Sequence, residues 1–215
     1  MKKILIFIIS LFILIFPISI NGEEKVELSK SGKSAILIET STKEILYEKN
    51  AHEKLAPASM TKIMTLLLLY EALDSGRISL NDEVLISAKA SAMGGTQIFV
   101  QEGNTVKVEE LLKGIGIASA NDAAVAIAEK LGGTVDNFVL MMNKKAKELG
   151  ALDTNFKNPH GLDEEGHYSS AYDMALIASE LVNKHKSVLN ITSTYEEYIN
   201  VNGQNHWLVN TNKVV

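Results

Sequence analysis

The sequence predicts an α/β (α+β) domain: an antiparallel sheet, flanking helices and a mostly helical lobe from about residue 106 to residue 182. Three observations carry this. Hairpin patterns stand near both ends of the globular segment, a succession of helical segments lies between them, and one long segment is apolar on every side.

The first residues are MKKILIFIISLFILIFPISINGEE. Lys2 and Lys3 form a basic head, Ile4 to Phe16 an unbroken apolar run, and Pro17 ends it before small and polar residues. That order predicts a secretory signal peptide over residues 1–22, cleaved after Gly22. The apolar run is shorter than the roughly 20 residues a spanning helix needs. Residues 23–33 are polar and read as a linker, and the domain is expected over residues 34–215.

Ala35 to Glu39 and Glu44 to Glu48 are β-rich runs around the turn former Ser-Thr-Lys, a hairpin signal. SMTKIMTLLLLYEALDSG predicts a helix from about Met60 to Asp74, stopped by Gly76. Its apolar residues surround most of the cylinder, which predicts burial on nearly all sides. Val106 to Gly116 and Asp122 to Leu131 are expected as two helices joined by a loop. Val135 to Leu149, closed by Gly150, and Ala171 to Val182 are amphipathic. EEYINVNGQNHWLV predicts a second hairpin turning at Asn202-Gly203. Strands at both ends then imply one sheet built from both.

Composition excludes several functions. The 215 residues contain no cysteine, so neither disulfides nor thiolate chemistry are available. The net charge is −5, and no basic cluster is present to track a phosphate backbone, so nucleic acid is not an expected partner. The five histidines form no H-E-x-x-H pair. His160 and His167 flank three acidic residues, but NPHGLDEEGHYSS is rich in turn formers and is expected to be a solvated loop rather than a metal site.

The chemistry is carried by PASMTKIMT, residues 57–65. A serine hydroxyl needs a base to take its proton. A lysine serves when burial and nearby positive charge hold it neutral. With Ser59 as N-cap, Lys62 becomes the third helical residue, on the same face and within reach. The positive end of the helix dipole and the neighbouring Met and Leu side chains disfavour the ammonium form. Glu is the residue a capping box places there. S-x-x-K alone is weak, since about one chance match is expected in a chain of this length. It is followed about 60 residues later by Ser119-x-Asn121 in the loop before a helix, where Asn121 alone would be no more than a cap.

Taken together, PASMTKIMT, ASANDAAVAIAE, FKNPHGLDEEGHYSSAYDMALIA and NTNK resemble the low-molecular-weight penicillin-binding proteins, the serine-type D-alanyl-D-alanine carboxypeptidases. The resemblance runs from about Ser34 to the last residue. It implies a β-lactamase/transpeptidase-like fold and no metal or organic cofactor. By position it makes Ser59 the nucleophile that forms an acyl-enzyme, with its own N–H in the oxyanion hole. Lys62 would be the acylation base, Ser119 the proton relay to the leaving amine, and Asn121 the residue that orients Lys62 and the substrate amide. The implied substrate is a peptidoglycan stem peptide ending in D-Ala-D-Ala, and β-lactams are expected to acylate Ser59. The third family motif, K-T-G, is absent from these residues. So is the C-terminal amphipathic anchor that places many members on the outer face of the cytoplasmic membrane. A fragment or a truncated relative is therefore expected. Two alternatives are a catalytically dead wall-binding relative and a serine β-lactamase. The latter is disfavoured because SVLN at residues 187–190 lacks the glutamate of a Glu-x-x-Leu-Asn loop.

Overall fold

The computed structural model describes residues 27–214, and the expected signal peptide lies outside the described residues. Residues from Gly32 onward form one compact unit. Strand β1 (Ala35–Ile38) pairs antiparallel with β2 (Ile45–Lys49) as the first hairpin predicts. A 3-10 turn, Ala58–Thr61, leads into α1 (Lys62–Asp74). Then follow β3 (Glu83–Leu85), α2 (Ala88–Ser91), β4 (Thr105–Lys107), α3 (Val108–Ala118) and α4 (Asn121–Gly132). The chain continues through α5 (Val135–Glu148), α6 (Ala171–Lys184), α7 (Val188–Thr192), β5 (Glu196–Val201) and β6 (Gln204–Val209).

The layout of helices between strands is as the sequence predicts, with α3 to α6 forming the helical lobe. Helix α1 packs against α3, α4 and α6, which explains why no side of it is polar. Met64, Leu67, Leu69 and Ala72 are completely buried. Helix α4 is the second core helix. Its run Ala123-Ala124-Val125-Ala126-Ile127-Ala128 is fully buried, and the small side chains let α3 and α1 approach closely. Gly76, at φ +69°, and Gly150, at φ +79°, end α1 and α5 in the left-handed conformation that glycine adopts without a Cβ clash. Asn202 and Gly203 both have positive φ at the β5–β6 turn, the geometry that matches the twist of a two-residue hairpin.

Four expectations are corrected. The strands do not form one sheet: among the described residues there are three separate two-stranded ladders, and the terminal hairpins pair only within themselves. The β3–β4 ladder was not foreseen, because three-residue strands separated by almost twenty residues leave no periodicity to read. It also claims Val106 and Lys107, so α3 begins at Val108. Ser59 is not an N-cap. It lies inside the 3-10 turn, whose cap position is Pro57, and the α-helix proper starts at Lys62. The fourth correction is the stretch between α5 and α6, which is not a solvated loop. Asp163, Glu164 and Glu165 are exposed, but Asn158, Pro159, Gly161, His167, Ser169 and Ser170 are buried. It is pinned at its base by antiparallel bridges Asn155–Tyr168 and Leu55–Ser169.

Candidate active site

Pro57 and the 3-10 turn place Ser59 at the surface and Lys62 beneath it. Ser59 is exposed, whereas Lys62 is only 3% exposed. Their side chains meet, Lys62 Nζ to Ser59 Oγ, at 3.3 Å. This is slightly long for a hydrogen bond, as nucleophile–base contacts often are without substrate. Nζ also donates to the backbone carbonyl of His160 at 2.8 Å. Burial alone pushes the Lys62 ammonium down to about 8. A reachable hydroxyl beside a partly neutral amine is the arrangement of a nucleophile and its base.

The buried loop holds this pair from one side. Asn158 organises the loop internally: its Oδ1 accepts from Gly161 N at 2.7 Å, and its Nδ2 donates to Leu162 O and to Glu164 Oε2, both at 3.0 Å. Thr65 Oγ1 donates to Pro159 O at 2.7 Å, tying the loop to α1. Gly161, at φ +93°, lies so close to the Ser59 turn that a Cβ there would overlap the Ala58 carbonyl oxygen. Only a glycine permits that approach. His160 is pushed down to about 4, first by burial and then by the Lys62 charge, so it is neutral near pH 7. Burial also lowers His167.

The other two candidate residues stand at the α3–α4 junction. Ser119 caps α3 at φ +60°, a left-handed conformation unusual for serine and of the kind retained at functional sites. Asn121 does not cap α4, since Ala120 occupies that position. Its backbone N–H donates to Thr96 O at 2.7 Å and its Nδ2 to Gly94 O at 2.8 Å. Gly95 sits between Asn121 and Leu162: a Cβ there would lie 2.6 Å from Asn121 Nδ2 and 3.8 Å from the Leu162 side chain. The α3–α4 junction and the buried loop therefore approach each other across Gly95. Asp122, completely buried, anchors the intervening segment by accepting from Ile98 N (3.1 Å), Val100 N (3.2 Å) and Ala123 N (2.8 Å).

Of the four residues singled out from sequence, Ser59 and Lys62 are thus in direct contact. Ser119 and Asn121 lie together at the α3–α4 junction, and among the described residues no hydrogen bond joins them to the pair. The His160 carbonyl, His167, Gly95, Gly161 and Asp122 were missed. The two glycines are legible only once the chain they approach is known. A separate cavity of about 630 Å³ lies at the far end of α1, lined by Tyr70, Ile78, Leu112 and Ile191 among others. It holds none of the site residues, and volume alone does not make chemistry.

Helices enclosing a central apolar helix that starts at a Ser–Lys pair, with small antiparallel ladders beside them, define a penicillin-binding-protein type of serine fold. Comparison with known proteins agrees with this. The family model "D-alanyl-D-alanine carboxypeptidase" matches residues 21–215, and the chain belongs to that family. It is 56% identical over 196 residues to D-alanyl-D-alanine carboxypeptidase DacF of Bacillus subtilis strain 168, covering 91% of this chain and 50% of that protein. The crystal structure of D-alanyl-D-alanine carboxypeptidase DacD from Francisella tularensis superposes with a TM-score of 0.80 at 33% identity, covering 87% of this chain and 44% of that one. Penicillin-binding protein D2 from Listeria monocytogenes, in its ampicillin-bound form, gives 0.75 at 29% identity, covering 87% and 75%. The chain spans about half the length of the curated relatives it matches.

Proposed function

We propose that this protein is a serine-type D-Ala-D-Ala carboxypeptidase that removes the terminal D-alanine from peptidoglycan stem peptides through an acyl-enzyme on Ser59. The observation that carries this is the exposed Ser59 hydroxyl against buried Lys62, whose pKa burial lowers to about 8. Lys62 takes the hydroxyl proton as Ser59 Oγ attacks the carbonyl carbon of the penultimate D-alanine. Ser119 passes a proton to the departing amine of the terminal D-alanine, while Asn121 orients Lys62 and the substrate amide. The ester on Ser59 is then hydrolysed by water, which restores the hydroxyl and releases the shortened peptide. β-Lactams enter the same first step and stop at the ester. Residues 1–22 would direct export, so the enzyme works outside the cytoplasmic membrane, on the cell wall. Residues 34–215 would belong to its catalytic domain.

Intact-protein mass spectrometry after incubation with penicillin, beside Ser59→Ala, tests the nucleophile. A one-drug adduct in the protein and none in the variant is expected. Release of D-alanine from a D-Ala-D-Ala peptide, lost in the same variant, tests the substrate. A folded protein that gives neither adduct nor release refutes the proposal.

A further inference from the structure

The His160 carbonyl accepts from Lys62, and one buried side chain, His167, bonds both to the loop arm that leads to His160 and to the residue before Lys62. His167 Nδ1 lies 2.9 Å from the backbone nitrogen of Lys157, which can only donate. Nδ1 is therefore the bare nitrogen of the ring, and Nε2 carries the proton. Nε2 lies 2.8 Å from Thr61 Oγ1, so the ring donates to the residue that directly precedes Lys62. One imidazole in one tautomer thus joins three things: the loop arm that leads from Lys157 to His160, its own returning arm, and the turn that bears Ser59. It is 6% exposed and packs beside the buried Phe156 ring, at 6.0 Å between centroids, which leaves it little freedom to swing away.

We propose that His167 is a positioning residue for the catalytic pair: its Nε2–H tautomer locks the 154–169 loop onto the Ser59 turn and so keeps Lys62 held and dry. It touches no reacting atom, and it acts through Thr61 and through the His160 carbonyl. Loss of the ring leaves the Lys157 N–H and the buried Thr61 hydroxyl short of a partner and opens room for water next to the residue that precedes Lys62. The lysine then moves back toward its ordinary titration, and the serine–lysine alignment loosens. Glutamine supplies the same pair of functions, an oxygen to accept from Lys157 and an N–H to donate to Thr61.

The test compares the protein with His167→Ala, His167→Gln and Thr61→Val. Two readouts are used: the rate of acylation by a fluorescent penicillin at pH 7, and the titration of Lys62 followed by its ¹³Cε resonance, assigned by its loss in Lys62→Met. In His167→Ala, acylation should slow by about tenfold to a hundredfold, the scale of a catalytic group displaced by about an ångström, and Lys62 should titrate higher. His167→Gln should restore most of the rate and bring the titration back. Thr61→Val should follow His167→Ala, and it decides the matter if His167→Ala does not fold. An unchanged rate and titration in folded His167→Ala overturns the proposal. So does equal slowing in Ala and Gln with the Lys62 titration unmoved, since that pattern belongs to general destabilisation. The inference rests on Lys62 being the base. If the unaltered protein is not acylated, the functional reading fails, and the Lys62 titration in the variants still decides whether His167 controls the lysine.

Discussion

Acylation of Ser59 should follow the deprotonation of Lys62, with an inflection near pH 8. The perturbation is pH alone. Only the neutral amine can accept the serine proton, so below its pKa the rate tracks the neutral fraction. With Lys62 pushed down by burial to about 8, that fraction is roughly one in ten at pH 7 and one in a hundred at pH 6. At the ordinary 10.5 only roughly one in 3,000 would be neutral at pH 7. Burial therefore raises the concentration of neutral amine at pH 7 about 300-fold. Stopped-flow acylation by a fluorescent penicillin between pH 5.5 and 9.5 should rise about tenfold per pH unit and level off above pH 8 to 9. His160, pushed down to about 4, stays neutral throughout and contributes no second step. A rate that still climbs tenfold per unit beyond pH 9.5, or one that is flat from pH 6 to 9, would refute Lys62 as a base of lowered pKa.

The same lysine should leave a mark on stability. Its folded pKa lies below its unfolded one, so between about pH 8 and 10.5 the unfolded chain binds the extra proton and stability rises with pH. Relative to Lys62→Met, the protein should gain up to about 3 kcal/mol across that window in denaturant melts, and a constant difference would contradict the burial argument. Gly161→Ala puts a Cβ against Ala58 O at positive φ, and urea unfolding should show a loss of at least about 3 kcal/mol. A loss below about 1 kcal/mol would mean the loop does not press on the turn. Asp122→Ala strands the N–H groups of Ile98 and Val100, which should cost about 2–4 kcal/mol and slow acylation by loosening the segment against Asn121. Nitrocefin should be consumed in a single burst equal to the enzyme present, and sustained hydrolysis would make the protein a β-lactamase.

Much of the fold was legible because it rests on local patterns. The apolar run after Lys62 has no polar stripe, and it is the helix surrounded by α3, α4 and α6. Asn202-Gly203 turns where its dihedral preference says it should. What failed is what depends on distant contacts. Ser59 has the chemistry of an N-cap, yet it sits in a tight 3-10 turn that packs against Gly161 and bonds through Thr61 to His167, about a hundred residues later. The loop from Asn155 to Ser169 has the composition of a solvated turn. Its polar residues satisfy one another, Asn158 with four partners in the loop, and so it can be buried at little cost. Composition cannot distinguish polar residues that face water from polar residues that face each other.

That loop also accounts for how a lysine can be buried at the start of a helix at all. A buried amine needs its protons accepted, and a carboxylate partner would satisfy them while raising the pKa and spoiling the base. The His160 carbonyl accepts one proton at 2.8 Å and brings no formal charge. The His160 imidazole, pushed down to about 4 first by burial, adds no positive charge near neutrality. Neutral partners on the loop, desolvation from the helices and an open path to Ser59 are jointly required. The first two alone would bury the lysine without use, and the third alone would leave it protonated.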